Sequence, residues 1–135
     1  MGFFTGLHHL SDWALVALRL GVGASFLAHG IQKSAMWKMQ PSAQMPAGML
    51  SILRLLSIVE PLGAVAVLVG FLTQPAAAGL AIIMLGAIRL KAVQMHRGFT
   101  GDGGWELDVV LLAAAVALFI SGAGSLSLDR VLLRL

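Results

Sequence analysis

Four apolar runs, each long enough to cross a lipid bilayer, leave this chain few folds to choose from. A membrane-spanning helix needs about 20 mostly apolar residues at about 1.5 Å of rise each. Runs of that kind occupy 12–31, 50–72, 75–95 and 105–122 of the 135 residues. Hydrocarbon offers no partner for a backbone N–H or C=O, so such runs fold as helices. A soluble bundle needs polar outer faces, and a stretch such as GAVAVLVGFL has none. The chain is 59% hydrophobic and 11% charged, against roughly 45–50% and about 25% in soluble domains. The expected fold is all-α: an integral membrane, up-and-down four-helix bundle, one transmembrane domain over 1–135 with both termini on one side.

The connections give each helix its neighbours. Ser11 or Asp12 caps the first run, with Trp13 at the interface. TQP, at 73–75, makes a tight turn, with Pro75 at the first helical position, where its missing N–H does no harm. The longer connector 34–49 carries Pro41 and Pro46; it is either an interfacial turn with Trp37 and several methionines at the headgroups or a plain linker. RGFTGDGG, 97–104, is glycine-rich and irregular, and 128–135 reads as a short amphipathic tail. Ala17, Gly21 and Ser25, four apart, and Gly63 and Gly70, seven apart, would let helices approach closely. The segment MGFFTGLHHLSDW has neither the basic region nor the cleavage site of a signal peptide, and Gly6 breaks the myristoylation pattern, so neither is expected. Net charge is +3, but the cations are sparse and flank apolar runs. Lipid headgroups and topology account for them better than nucleic acid does, and the positive-inside rule puts the two longer loops in the cytoplasm.

Charged residues inside the runs carry the functional signal. A charge at the centre of a membrane helix costs roughly 2.5–3.5 kcal/mol, so Arg19, Glu60 and Arg89 should face the bundle interior. Counted from the end where run one stops and run two starts, Arg19 lies about 18 Å deep and Glu60 about 15 Å. Opposite sign and equal depth on adjacent helices predict an Arg19–Glu60 pair, with Arg89 reaching the same carboxylate. Helical spacing sets His29 and Lys33 beside Arg19, and His96 seven residues beyond Arg89. The expected site is a polar pocket with His29, Lys33, His96, Arg97 and Glu106 at the rim, then Arg89, then Arg19 and Glu60 at the floor. A structural ion pair fixing helix register competes with this for Arg19–Glu60. Lys33, Lys38 and Lys91 read as snorkelling anchors. The chain has no cysteine, which excludes thiolate metal sites, disulfide exchange and cysteine nucleophiles; no metal site is expected.

The stretches LRLGVGASFLAHGIQK, VEPLGAVAVLVGFLT and HRGFTGDGGWELDVVLLAAAVALFISGAGSLSLD, in this order and spacing, resemble the DoxX family of small four-helix membrane proteins. The resemblance covers nearly the whole chain apart from the connector MWKMQPSAQMP. It implies a prokaryotic plasma (inner) membrane protein, and it points toward quinone or sulfur redox chemistry, because relatives are linked to thiosulfate:quinone oxidoreductase, oxidative-stress defence and quinone or catechol resistance. No agreed catalytic set comes with it; the motif positions carried over are Arg19, His29, Gly30, Lys33, Glu60, Gly70, His96, Gly98, Phe99, Gly104, Glu106 and Asp129.

Three functions compete. A quinone-binding oxidoreductase or its subunit needs a slot reachable from lipid, a donor to the quinone carbonyl and a proton path; His29 or His96 would donate and Glu60 would carry the proton. No flavin or nicotinamide fingerprint appears, so electrons come from a partner or a bound reductant. Haem with His29 and His96 as axial ligands is disfavoured, since two histidines near helix ends are common. An accessory subunit, in a homo-oligomer or a larger membrane complex, is the second class. The third is a small-anion or metabolite carrier, against which the absence of an inverted repeat counts.

Overall fold

A computed structural model describes residues 6–134. All regular structure among them is helical: α1 (Ser11–Lys33), α2 (Ala47–Val69), α3 (Thr73–Arg89) and α4 (Glu106–Ser121). A 3-10 turn, Ser34–Lys38, extends α1, and a wider π-helical turn, Leu90–Gln94, extends α3. The helices run up and down. One end of the bundle, the loop end, carries the α1–α2 and α3–α4 connections; the other, the terminal end, carries the α2–α3 turn and the segments before α1 and after α4.

With their extensions, α1, α2 and α3 have 28, 23 and 22 residues and are apolar enough to cross a membrane. The fourth run forms a shorter helix than expected, 16 residues, or about 24 Å. Gly122 stops it at φ 73. The outward faces are apolar, with Leu20, Leu62, Ile82, Val110 and Ile120 all exposed, as a lipid-facing surface requires. α1 packs chiefly on α2 and α3 on α4. Phe26, Val67, Leu80 and Leu118, one from each helix, are fully buried at the centre.

Glycine sets the α1–α2 contact. A Cβ on Gly23 would overlap the Leu68 side chain, and one on Gly30 would overlap the Pro61 ring. These positions are seven apart on both helices, so two glycines admit two bulky residues along one seam. Ala17 and Gly21, expected at such a seam, point outward instead, and nothing lies within 4 Å of a Cβ on Gly21. At the α2–α3 turn Gly70 and Leu72 take left-handed backbone, φ 69 and φ 49. The turn is therefore 70–72, and α3 begins at Thr73, two residues before Pro75.

The seam also fixes the register. Gly30 lies against Pro61 and Gly23 against Leu68, so the end of α1 is level with the middle of α2. The first three turns of α2 stand beyond α1, beside the connector. There Arg54 donates to the carbonyls of Met36 (3.1 Å) and Met39 (2.7 Å). Trp37 Nε1 donates to Ser57 Oγ at 2.9 Å, and the Arg54 guanidinium lies 5.7 Å from the Trp37 ring centre. The connector is thus an ordered turn rather than a plain linker.

Candidate functional site

This register separates Arg19 from Glu60. Glu60 lies about half a turn from the level at which α1 ends, whereas Arg19 stands level with the α2–α3 turn. Arg19 is 5% exposed and donates to the carbonyls of Ala123 (3.0 Å) and Leu126 (2.8 Å). The expected Arg19–Glu60 pair does not form. The depth count assumed that run one stops level with the start of run two; in fact α2 begins about three turns beyond that level.

Arg19 belongs instead to a latch at the terminal end. Asp12 accepts the Ser125 amide (2.9 Å) and hydroxyl (2.5 Å), so it ties down the segment after α4 rather than capping α1. The Asp129 carboxylate accepts the amides of Leu72 (2.6 Å) and Thr73 (3.0 Å) at the start of α3. The Asp129 amide donates to the Gly70 carbonyl at 2.7 Å. Gly70 leaves the room that Arg19 fills, because a Cβ there would overlap Nη1.

Glu60, fully buried, pairs with Lys33. Its second oxygen, Oε2, is buried with no hydrogen-bond partner among the described residues. A matching arrangement joins α3 to α4: Lys91 Nζ lies 2.7 Å from Asp108 Oδ2, a charge contact rather than an aligned hydrogen bond. Asp108 is buried, on the inner stripe that continues through Leu111, Ala115 and Leu118. Lys33 and Lys91, which read as interface anchors in the sequence, are only partly exposed and point inward to these carboxylates.

Both lysines line one cavity of about 740 Å³, bounded by the end of α1, the connector, the first half of α2 and the end of α3. Its volume is within the range of small-molecule sites, about 300–1,000 Å³. The wall is mostly aliphatic, and five methionines contribute to it: Met36, Met45, Met49, Met84 and Met95. Thioether side chains are flexible and polarisable, so such a wall adapts to a flat apolar guest. The polar groups are His29, Gln32, Lys33, Lys91, Gln94 and Asp108.

Of the pocket residues expected from sequence, His29 and Lys33 line this cavity, and Glu60 lies directly behind Lys33. Arg89, His96, Arg97 and Glu106 are exposed and outside it. Arg89 continues the outward stripe of Ile82 and Leu85 and is the last residue of the α-helical part of α3, where a long cationic side chain reaches the headgroups. His96, at φ 49, leaves the π turn into the loop and does not line the cavity that His29 lines. Among the described residues no group of three or more His, Cys, Asp or Glu side chains could hold a metal. Asp108 and the methionines were missed. Asp108 had a signal in GWELD, two residues past Glu106, but α4 is apolar on all sides and its inner face is not marked by hydropathy.

A family model described as DoxX matches residues 14–97. Over 92% of its length the chain is 35% identical to a Mycobacterium tuberculosis protein, described as uncharacterized membrane protein Rv3486, of which the match covers 84%. No solved structure matches the chain.

Proposed function

The chain belongs to the DoxX family of integral membrane proteins, and on that premise we propose that it binds an uncharged quinone-type molecule from the bilayer, as a quinone-binding subunit or component of a membrane oxidoreductase complex in a prokaryotic plasma membrane. One observation carries this reading: the 740 Å³ cavity is mostly apolar and methionine-rich, and its few polar groups include Lys33 and Lys91, each held by a buried carboxylate. A quinone has a flat apolar ring with two carbonyl acceptors. An ammonium group has three donors; Lys33 engages the Glu60 carboxylate, and Lys91 engages the Asp108 carboxylate and, at 3.4 Å, the Gly104 carbonyl, so each keeps at least one N–H for the guest. The methionine wall suits the ring, since sulfur–aromatic contacts contribute about 0.3–1.5 kcal/mol each. Ile52 and Met95, both exposed, lie on the cavity wall and leave it open toward lipid, where a quinone resides. Electrons come from a partner of the complex.

The test is purification in mild detergent, followed by absorption spectroscopy and mass spectrometry of an organic extract. A stoichiometric quinone is expected, and it should be lost from Lys33→Gln and Lys91→Gln variants that remain monodisperse. Phospholipid alone, at equal levels in wild type and variants, overturns the proposal. A large co-purifying partner in that case would assign the chain an accessory role.

A further inference from the structure

The charges on the cavity wall and directly behind it cancel. Lys33 and Lys91 bring two positive charges to its wall, and Glu60 and Asp108, both buried, bring two negative charges. His29 is the remaining titratable group on the wall. The outlying charges Lys38, Arg89, Arg97 and Glu106 are exposed to the surroundings that screen them, and the half-buried Arg54 lies off the wall, its guanidinium bound to the carbonyls of Met36 and Met39. Two ammonium groups alone would make an anion site of this cavity. With a carboxylate behind each, the lysines keep their hydrogen-bond donors but lose their net attraction for a negative guest. An anion entering such a neutral, largely apolar space gives up its hydration without net charge compensation.

We infer that Glu60 and Asp108 are specificity-determining residues that hold the cavity electroneutral, so that it selects uncharged dicarbonyl ligands over acidic ones of the same shape. This rests on the quinone-type reading above and adds the basis of its selectivity. Glu60 sits behind its lysine rather than in the cavity, so it acts on the guest through the charge of Lys33. Asp108 is on the wall itself and acts both through Lys91 and directly on an anion, so the two carboxylates together make the cavity discriminate against negative charge at its inner end.

The test uses two probes of nearly equal shape: a neutral short-chain naphthoquinone and its 2-hydroxy derivative, whose enol is ionised at neutral pH. Binding to the full chain in detergent is read by tryptophan fluorescence quenching, and the quantity of interest is the ratio of the two affinities. Wild type should prefer the neutral probe. In Glu60→Gln, and separately in Asp108→Asn, the ratio should move toward the anion by about tenfold or more, the size expected for one unbalanced charge nearby at an effective dielectric of about 20. If one carboxylate variant does not fold, the other carries the test. Wild type favouring the anionic probe, or ratios that stay put in the folded variants, overturns the inference while leaving a quinone site intact. Loss of both probes from folded carboxylate variants assigns Glu60 and Asp108 to structure and overturns it too. Wild type binding neither probe brings down the quinone-type reading, and the inference with it.

Discussion

Replacing Arg19 with methionine separates the two roles this residue has been given, latch and pocket floor. The guanidinium is 5% exposed and makes two hydrogen bonds to carbonyls of the segment after α4, at 3.0 and 2.8 Å. A hydrogen bond from a charged donor contributes about 1.5–3 kcal/mol, so the two together contribute about 3–6 kcal/mol. Holding the charge in the bilayer costs about 2.5–3.5 kcal/mol at the centre and less at Arg19, which lies about 12 Å from the start of α1. The expected net loss is therefore about 1–3 kcal/mol, and it falls on the latch. Arg19→Met should lower the thermal midpoint in detergent and expose 122–134 to limited proteolysis, while ligand binding at the loop end changes little. Arg19→Lys should be intermediate, because one ammonium cannot span the carbonyls of Ala123 and Leu126 as a planar fork does. Equal protease resistance in wild type and Arg19→Met would refute the latch; loss of ligand with an intact terminal segment would return Arg19 to the pocket.

Gly30→Ala should destabilise the fold by about 1–3 kcal/mol, since the overlapping Pro61 ring cannot turn aside, and Gly23→Ala should cost less because Leu68 can change rotamer; paired thermal melts decide it. Gly70→Ala combines a left-handed residue, roughly 1–2 kcal/mol, with overlap on Arg19, so it should expose the terminal segment as Arg19→Met does, and a double variant should be less than additive. Arg54→Ala removes two hydrogen bonds and the contact over Trp37, and amide exchange at 36–39 should quicken while the α3–α4 pair is unaffected.

The sequence made the four helices and their order legible because a bilayer admits almost nothing else for four such runs. It also showed that Glu60, deep in α2, must have a cation. Which cation was not legible. Depth was counted from the ends of the apolar runs, and these ends are not level: Gly30 on Pro61 and Gly23 on Leu68 slide α2 past α1, so Lys33 meets Glu60 and Arg19 meets the α2–α3 turn. The glycines that set this slide look, in sequence, no different from Gly21, where a Cβ would meet nothing within 4 Å. Asp108 was obscure for the opposite reason. In a helix apolar all round, only packing against α3 tells its inner face from that of Glu106.

The division of polar groups between the two ends bears on the carrier reading. Arg19, Asp12 and Asp129 are spent on one segment, which they fold across the terminal end. The second depression there, about 400 Å³, is lined by Asp12, Asp129 and neighbours that already bond to one another or to backbone. The loop-end cavity stops at a layer in which Phe26, Val67, Leu80 and Leu118 are fully buried. Passage from one end to the other would have to part that layer and release the latch together, at the cost of several well-packed side chains and at least four hydrogen bonds to buried or partly buried groups. On the proposed quinone-type reading, a site entered from the loop end and from lipid, and closed toward the other end, would keep a guest in place rather than pass it through.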